Sequence, residues 1–160
     1  MHPRAAEFRD CVRERHDLAV DVEEFPEGTK TAADAAAAVG CSVAQIASSL
    51  VFVVSGDPVV VVTSGANRVD ESRIAAHLSA PAGAVSMADA DRVREATGWS
   101  IGGVPPLCHD ADPPVLVDET LLEHDVVYAA AGTPNAVFPV DPAVLVDLAG
   151  GTAVDVVGSG

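Results

Sequence analysis

Basic residues are scarce in this sequence, and lysine is almost absent. Nine lysines and arginines face 24 acidic residues among 160, so the formal net charge is −15 at pH 7, and Lys30 is the only lysine. Such a surface repels phosphate backbones at low salt, so charge alone argues against a nucleic-acid partner. Because the acidic residues are spread along the whole chain, we predict adaptation to a cytoplasm at molar salt, where charges are screened over roughly 3 Å. An ordinary acidic soluble protein is the alternative.

Long apolar runs and clustered cysteines are also missing. The longest apolar run lies around residues 59–62, far short of the ~20 residues that span a bilayer, and the first residues lack the apolar stretch of a signal peptide. We therefore expect a cytoplasmic protein without a membrane partner. Cys11, Cys41 and Cys108 are odd in number and scattered, which predicts reduced thiols and no disulfide framework.

Aromatic residues make up only 4% of the chain, although 49% of it is hydrophobic. Valine, alanine, leucine and isoleucine must therefore build the core, and wholesale disorder is excluded. The length suits one domain. We expect residues 1–160 to form that single domain, with an N-terminal helix within residues 1–18.

Helical and strand patterns alternate along the chain. Helical spacing and N-cap residues predict helices at 3–16, 32–39, 71–78, 90–97 and 143–148, the last four capped by Thr31, Asp70, Asp89 and Asp141. Strands are predicted at 19–25, 49–54, 59–63, 115–117, 126–131, 136–140 and 153–157. Hairpins make some neighbours antiparallel, while helical crossovers favour parallel ones. The predicted fold is α+β: a curved or barrel-like, mixed, largely antiparallel sheet of six to seven strands with helices packed outside.

The segment 98–109 has the most unusual composition. It holds the sole tryptophan, the adjacent glycines Gly102 and Gly103, and the adjacent prolines Pro105 and Pro106. Glycines let the backbone approach a ligand closely, and prolines stiffen the loop. A rigid loop with bare N–H groups suits a carboxylate, carbonyl or ribose. A tight turn between two elements explains the same residues equally well.

Two further segments are weaker candidates. The glycine turn at 131–135 is typical of a hairpin. Small polar residues at 63–70 end a buried strand and begin a helix, a position that often lines a site. Asp70 is better explained there as a helix cap.

Other chemistry is weakly indicated. Cys108, His109, Asp110 and Asp112 cluster, but adjacent residues rarely converge on one ion, so a structural or surface role is favoured. No nucleophile elbow, phosphate-loop lysine or dinucleotide fingerprint is present, and the scattered histidines suggest no nucleophile–base pair.

Five segments, in chain order, resemble the YbaK family of aminoacyl-tRNA deacylases, which is similar to the editing insertion domain of bacterial prolyl-tRNA synthetase. They are Thr31–Ala36, Gln45–Phe52, Ser64–Asp70, Ile101–Pro106 and Ala131–Phe138. The resemblance spans about residues 20–157. It implies hydrolysis of the ester between a wrong amino acid and the tRNA 3′ end, with no metal or cofactor. The implied partners are the acceptor end of misacylated tRNA and prolyl-tRNA synthetase or other translation components.

The resemblance also implies roles for individual residues. Catalytic roles fall on Ser48, Ser49, Gly102 and Gly103. The N–H groups of the loop that carries the two glycines would donate to the ester carbonyl as it becomes an oxyanion. Positioning of the substrate's own 2′-OH and a water would supply the remaining chemistry. Substrate-binding roles fall on Thr31, Thr63, Ser64, Gly65, Arg68, Asp70, Ile101, Val104, Pro105, Pro106, His109, Gly132, Thr133 and Asn135.

One position departs from the family pattern, which has lysine followed by Ser or Thr where this chain has Ser48-Ser49. Serine cannot supply the fixed positive charge of lysine. Three interpretations remain open: the reaction does not need that charge, Arg68 or Lys30 supplies it, or the chain binds aminoacyl-tRNA or a small aminoacyl-like ligand without hydrolysing it. A small-molecule hydrolase using the same pocket is a further alternative.

Overall fold

Eight strands form one mixed sheet in the computed structural model, which describes residues 1–25, 31–111 and 113–157. The strands are β1 (Glu23–Glu24), β2 (Ile46–Val54), β3 (Asp57–Ser64), β4 (Val85–Met87), β5 (Val115–Asp118), β6 (Val127–Ala130), β7 (Ala136–Val140) and β8 (Thr152–Val154). Their order is β1-β7-β6-β2-β3-β5-β8, with β4 paired to β2. Within the described residues the sheet has two ends and does not close into a barrel.

The strand directions confirm the predicted α+β class. The hairpins β2–β3 and β6–β7 are antiparallel, as are β1–β7 and β2–β4. The pairs β2–β6, β3–β5 and β5–β8 are parallel. The sequence missed β4, because three residues are too few to show an alternating pattern. Predicted and observed ends differ most at β1, which is shorter than 19–25, and at β2, which begins three residues before 49.

In the described part of the chain, five α-helices pack around this sheet, all near their predicted positions. They are α1 (Pro3–His16), α2 (Ala32–Val39), α3 (Glu71–His77), α4 (Ala90–Thr97) and α5 (Pro142–Ala149). Side chains of the four predicted caps, Thr31, Asp70, Asp89 and Asp141, accept backbone N–H groups of the first turns, which otherwise lack partners. No helix in the described part of the chain combines the length and apolar character needed to cross a membrane.

The valines of β3 explain how the sheet is covered. Val60 and Val62 lie in a core cluster with Phe8 of α1 and Val93 of α4. Their neighbours in the strand face the opposite side and join Ile74 of α3 in a second cluster. A strand buried on both faces appears in the sequence as a continuous apolar run, because neither face requires polar residues.

The expectation that all three thiols are reduced is wrong for two of them. Cys11 on α1 and Cys108 form a disulfide, with Cα atoms 6.4 Å apart, whereas Cys41 is a free thiol. The paired residues are 97 positions apart in sequence. Their spacing therefore gave no sign that the fold brings α1 against the 98–109 loop.

Candidate functional site

The sheet has a gap beside the middle of β2. On that side, β6 pairs with residues 46–47 and β4 pairs with residues 52–54. Between these two ladders, residues 48–51 have β3 as their strand partner on one side only. An open stretch of strand inside a sheet leaves room for a ligand and presents backbone groups to it.

The backbone of Ser49 faces this gap. In an antiparallel pair, successive residues direct their N–H and C=O groups alternately toward and away from the partner strand. The carbonyl of Ile46 accepts the N–H of Gly65 on the β3 side at 2.7 Å, and the carbonyl of Val51 accepts the N–H of Ala88 on the other side at 3.0 Å. Ser49 has the same parity as Val51, so its N–H and C=O point into the gap.

A cavity of about 260 Å³ occupies the gap. Its two sides differ in character because β2 side chains alternate between the faces of the sheet. On the side of α2 lie Thr31, Ala35, Ile46, Ser48 and Tyr128; on the other side lie Ala47, Ser49, Val51, Val93 and Val104. The mouth includes two exposed apolar side chains, Met87 and Ile101. No described lining residue carries a charge.

The hydroxyl of Ser49 stands out among the lining groups. Its oxygen is buried and has no hydrogen-bond partner among the described residues. Buried polar atoms normally have a partner, so an orphaned one next to a cavity is available to a ligand. Ser49 therefore presents both a side-chain and a backbone donor to the same space.

Gly102 and Gly103 have different structural roles. The carbonyl of Ser100 accepts the N–H of Gly103 at 3.0 Å, and Gly102 has a φ of +87°, as in a type II turn. Gly102 lines the cavity, but Gly103 does not, and a Cβ on Gly103 would lie 2.8 Å from the Cα of Thr133. The expectation of bare N–H groups in this loop is thus corrected for Gly103, whose N–H closes the turn and whose small size allows two loops to touch.

The second glycine turn, at residues 131–135, packs against α1 and the Trp99 ring. Gly132 has a φ of +96°, and a Cβ there would lie 2.8 Å from both the Arg4 carbonyl oxygen and the Trp99 ring. The Thr133 hydroxyl accepts the N–H of Asn135 at 3.2 Å. Gly132, Thr133 and Asn135 form the β6–β7 hairpin turn and do not line the cavity. Their neighbour Pro134 does.

Asp118 organises the ends of β3 and β5. Its fully buried carboxylate accepts hydrogen bonds from the Thr63 hydroxyl at 3.0 Å, the Ser64 N–H at 3.2 Å and the Asn67 amide at 2.9 Å. Burial raises the pKa of Asp118, but hydrogen bonds from Asn67, Thr120 and Ser64 outweigh it and leave the pKa below its usual value. Thr63 and Ser64, expected to bind substrate, are instead engaged with this carboxylate and do not line the cavity.

Other predicted residues also lie away from the cavity lining. Gly65 packs against α2, where a Cβ would come within 2.7 Å of the Ala32 Cβ. Asp70 caps α3, the role that the sequence pattern favoured for it. Hydrogen bonds from Ser72 lower the pKa of its carboxyl. Arg68 is exposed. Lys30, the other candidate source of positive charge, lies outside the described residues.

The end of the 98–109 loop borders a different space. The His109 ring donates to the Pro105 carbonyl at 2.7 Å. Pro106 and His109 line a second cavity of about 440 Å³ together with Arg15 and His16. Within the described residues, no three His, Cys, Asp or Glu side chains form a group able to hold a metal ion. Asp112, part of the cluster considered from the sequence, lies outside those residues.

Of the predicted site residues, Thr31, Ser48, Ser49, Ile101, Gly102 and Val104 meet at the cavity. Sequence reasoning missed Tyr128, Met87 and Val93. Tyr128 is the sole tyrosine, a signal that could have been used, whereas Met87 lies on the unpredicted β4.

Comparison with known proteins identifies the class of protein that this fold and cavity represent. The chain belongs to the aminoacyl-tRNA editing domain family, whose model matches residues 26–148. A solved structure described as a "putative trans-editing enzyme for prolyl tRNA synthetase" is 37% identical, covers 99% of both chains and superposes with a TM-score of 0.93. The YbaK-like resemblance is thereby confirmed.

Two further relatives carry no functional description. Hypothetical protein APE2540 is 30% identical, covers 96% of this chain and 99% of its own, and has a TM-score of 0.83. The uncharacterized protein YwhH of Bacillus subtilis (strain 168) is 33% identical over 123 residues, 76% of each chain.

Proposed function

We propose that this protein is an aminoacyl-tRNA deacylase that acts in trans and hydrolyses the ester of misacylated tRNA in the cytoplasm. The observation that carries the proposal is the cavity in the sheet gap, with the unpartnered Ser49 hydroxyl beside it. Membership of the editing-domain family and similarity to the trans-editing structure support it. We also propose that residues 1–160 work as one editing unit.

The groups at the gap suit an acyl-transfer reaction. As water attacks the ester carbonyl, its oxygen gains negative charge, which preorganised donors stabilise. The Ser49 hydroxyl and N–H supply two such donors at one place. Gly102 and Ser48 border the same space and would help fix the ester. The remaining acceleration comes from holding the substrate's own 2′-OH and a water in line with the carbonyl; no step in this proposal uses a metal.

The test is a panel of mischarged tRNAs incubated in molar KCl with the wild type, Ser49→Ala and the control Ser72→Ala, which removes an exposed hydroxyl on α3. We expect deacylation of at least one mischarged tRNA by the wild type and the control, and a loss of about 100–1,000-fold in Ser49→Ala. No release above the buffer rate for any tRNA would reject hydrolysis. Turnover of a free aminoacyl ester with which tRNA does not compete would indicate a small-molecule hydrolase.

A non-catalytic binder is the second candidate, favoured by one specific observation. The described cavity lining has no charged residue, and Ser48 stands where the family pattern has lysine. The variant Ser48→Lys restores that charge. If only this variant hydrolyses mischarged tRNA, while the wild type binds it, the natural protein is a binder. Comparable turnover by both proteins would reject this candidate.

A further inference from the structure

Three hydroxyl side chains lie on one wall of the cavity. Thr31 is the N-cap of α2, Ser48 is on β2 and Tyr128 is on β6, and all three line the cavity. Tyr128 is the register partner of Ile46, so its side chain lies on the same face of the sheet as those of Ile46 and Ser48.

Two of these hydroxyls are unused by the fold. The ring of Tyr128 packs against the cluster of Ala35 and Ile46, which fixes its position. Neither Tyr128 nor Ser48 forms a side-chain hydrogen bond within the described part of the chain. Tyr128 is half-buried and lines the cavity, so its hydroxyl can bind a ligand there without breaking a hydrogen bond of the fold.

The opposite wall has a different chemistry. Ala47, Val51, Val93 and Val104 present only apolar atoms to the cavity. The cavity thus offers neutral hydroxyl groups on one side and hydrocarbon on the other, with the backbone of Ser49 between them. Neutral hydroxyls match a sugar diol, whereas a phosphate would favour a cationic site.

We propose that Tyr128, with Ser48 and Thr31, binds the ribose of the terminal nucleotide, so that the aminoacyl side chain points toward Val93 and Val104. The inference rests on the proposed function, because it assumes an aminoacylated nucleotide as the ligand. It makes Tyr128 a determinant of substrate orientation. The substrate's ester then lies beside Ser49.

The decisive variant is Tyr128→Phe, which removes only the hydroxyl and leaves the packed ring. We expect kcat/KM on a mischarged tRNA to fall about 3–10-fold, the effect of one neutral hydrogen bond. Thr152→Val, which removes an exposed hydroxyl on β8, should leave kcat/KM unchanged, and Tyr128→Phe should keep the thermal midpoint of the wild type. A wild-type kcat/KM in Tyr128→Phe, or a loss of kcat/KM that accompanies a lower thermal midpoint, would overturn the inference.

Binding separates this inference from the proposed function. A non-hydrolysable adenosine carrying the amino acid through a 3′-amide would be titrated calorimetrically against the wild type and Tyr128→Phe. Weaker binding by about 3–10-fold in the variant supports the ribose contact even if no hydrolysis is found. Equal affinities, or no binding to the wild type, would contradict the inference while leaving the deacylase assay to decide the function.

Discussion

The buried carboxylate of Asp118 accepts a hydrogen bond of 2.9 Å from the side-chain amide of Asn67. This contact joins the end of β5 to the loop after β3. The same carboxylate holds Thr63 and Ser64, and Ser64 in turn donates to the Ala44 carbonyl just before β2. The start of the strand that carries Ser48 and Ser49 is therefore tied to Asp118.

Asp118→Asn should lower the free energy of unfolding at pH 7 by about 2–4 kcal/mol, because several donors lose a charged acceptor. The folded pKa lies below the unfolded value of about 3.9. The carboxylate's stabilisation is therefore present above about pH 4 and is lost as pH falls through the folded pKa. Urea unfolding at pH 7, 5 and 3 should show that the difference in unfolding free energy between wild type and variant shrinks only at the lowest pH. The exposed Asp125→Asn is the control. A difference in unfolding free energy that does not change with pH would contradict the prediction.

Gly132→Ala should destabilise the protein more than Gly56→Ala. Both glycines have positive φ, +96° and +89°, but a Cβ on Gly132 meets the Arg4 carbonyl and Trp99, whereas nothing lies within 4 Å of one on Gly56. Backbone strain alone accounts for about 1 kcal/mol at Gly56, and overpacking adds about 1–3 kcal/mol at Gly132. Denaturant unfolding measures both variants. Equal losses of unfolding free energy in the two variants would show that α1 moves away from the added Cβ at no energetic cost.

The Cys11–Cys108 disulfide should make stability depend on reductant. It closes a loop with 97 residues of separation, and typical disulfides stabilise by about 2–4 kcal/mol. We expect wild type and Cys41→Ser to lose that amount on reduction, while Cys11→Ser is insensitive. Peptide mass spectrometry of the oxidised protein checks the pairing of Cys11 with Cys108. If no peptide linked through these two cysteines is found, the prediction is contradicted.

Val104→Ala should widen the apolar wall of the cavity. The change should raise the ratio of kcat/KM for a valyl ester over an alanyl ester on the same tRNA by about 10-fold, since one methylene contributes roughly 1–3 kcal/mol to selection. Val62→Ala removes the same atoms from the same core cluster at a position that does not line the cavity. That control should leave the ratio unchanged. A shift of equal size in both variants would show that general loosening, and not cavity shape, sets the ratio.

The acidic surface predicts salt-dependent behaviour. With a formal charge of −15, self-repulsion weakens as salt screens it, so the thermal midpoint should rise from dilute buffer to molar KCl. Binding through a cavity whose described lining carries no charge should also give tRNA affinity a shallow dependence on salt. Equal thermal midpoints in dilute buffer and in molar KCl would contradict the expected stabilisation by salt. A tRNA affinity that falls steeply with salt would contradict the expected shallow dependence.

Much of the secondary structure followed from local signals. Thr31, Asp70, Asp89 and Asp141 marked helix starts because a short polar side chain can satisfy the first N–H groups. The valine run of β3 and the turn at Gly56 predicted a hairpin for equally local reasons. The weak points were short elements such as β4, whose pairing with β2 depends on distant residues.

The cavity was only partly predictable. Ser48 and Ser49 were predicted from the family resemblance and Gly102 already from the composition of its loop, whereas Tyr128 and Val93 were not predicted. Thr63 and Ser64 looked free in the sequence because nothing local showed that Asp118, more than fifty residues away, binds them. Gly103 looked like a ligand contact because a glycine that admits a ligand and one that admits another loop have the same sequence signature.

Local spacing and cap residues were enough to predict the five helices, seven of the eight strands and the α+β class of the described residues, and motifs in chain order were enough to indicate the editing family. Only the folded chain shows that the sheet of the described residues has two free ends and leaves a gap beside Ser49. It also brings Cys11 to Cys108 and places Tyr128 on the same wall of the cavity as Ser48. Each of these depends on how strands far apart in the chain align, and strand register is set by packing across the whole sheet.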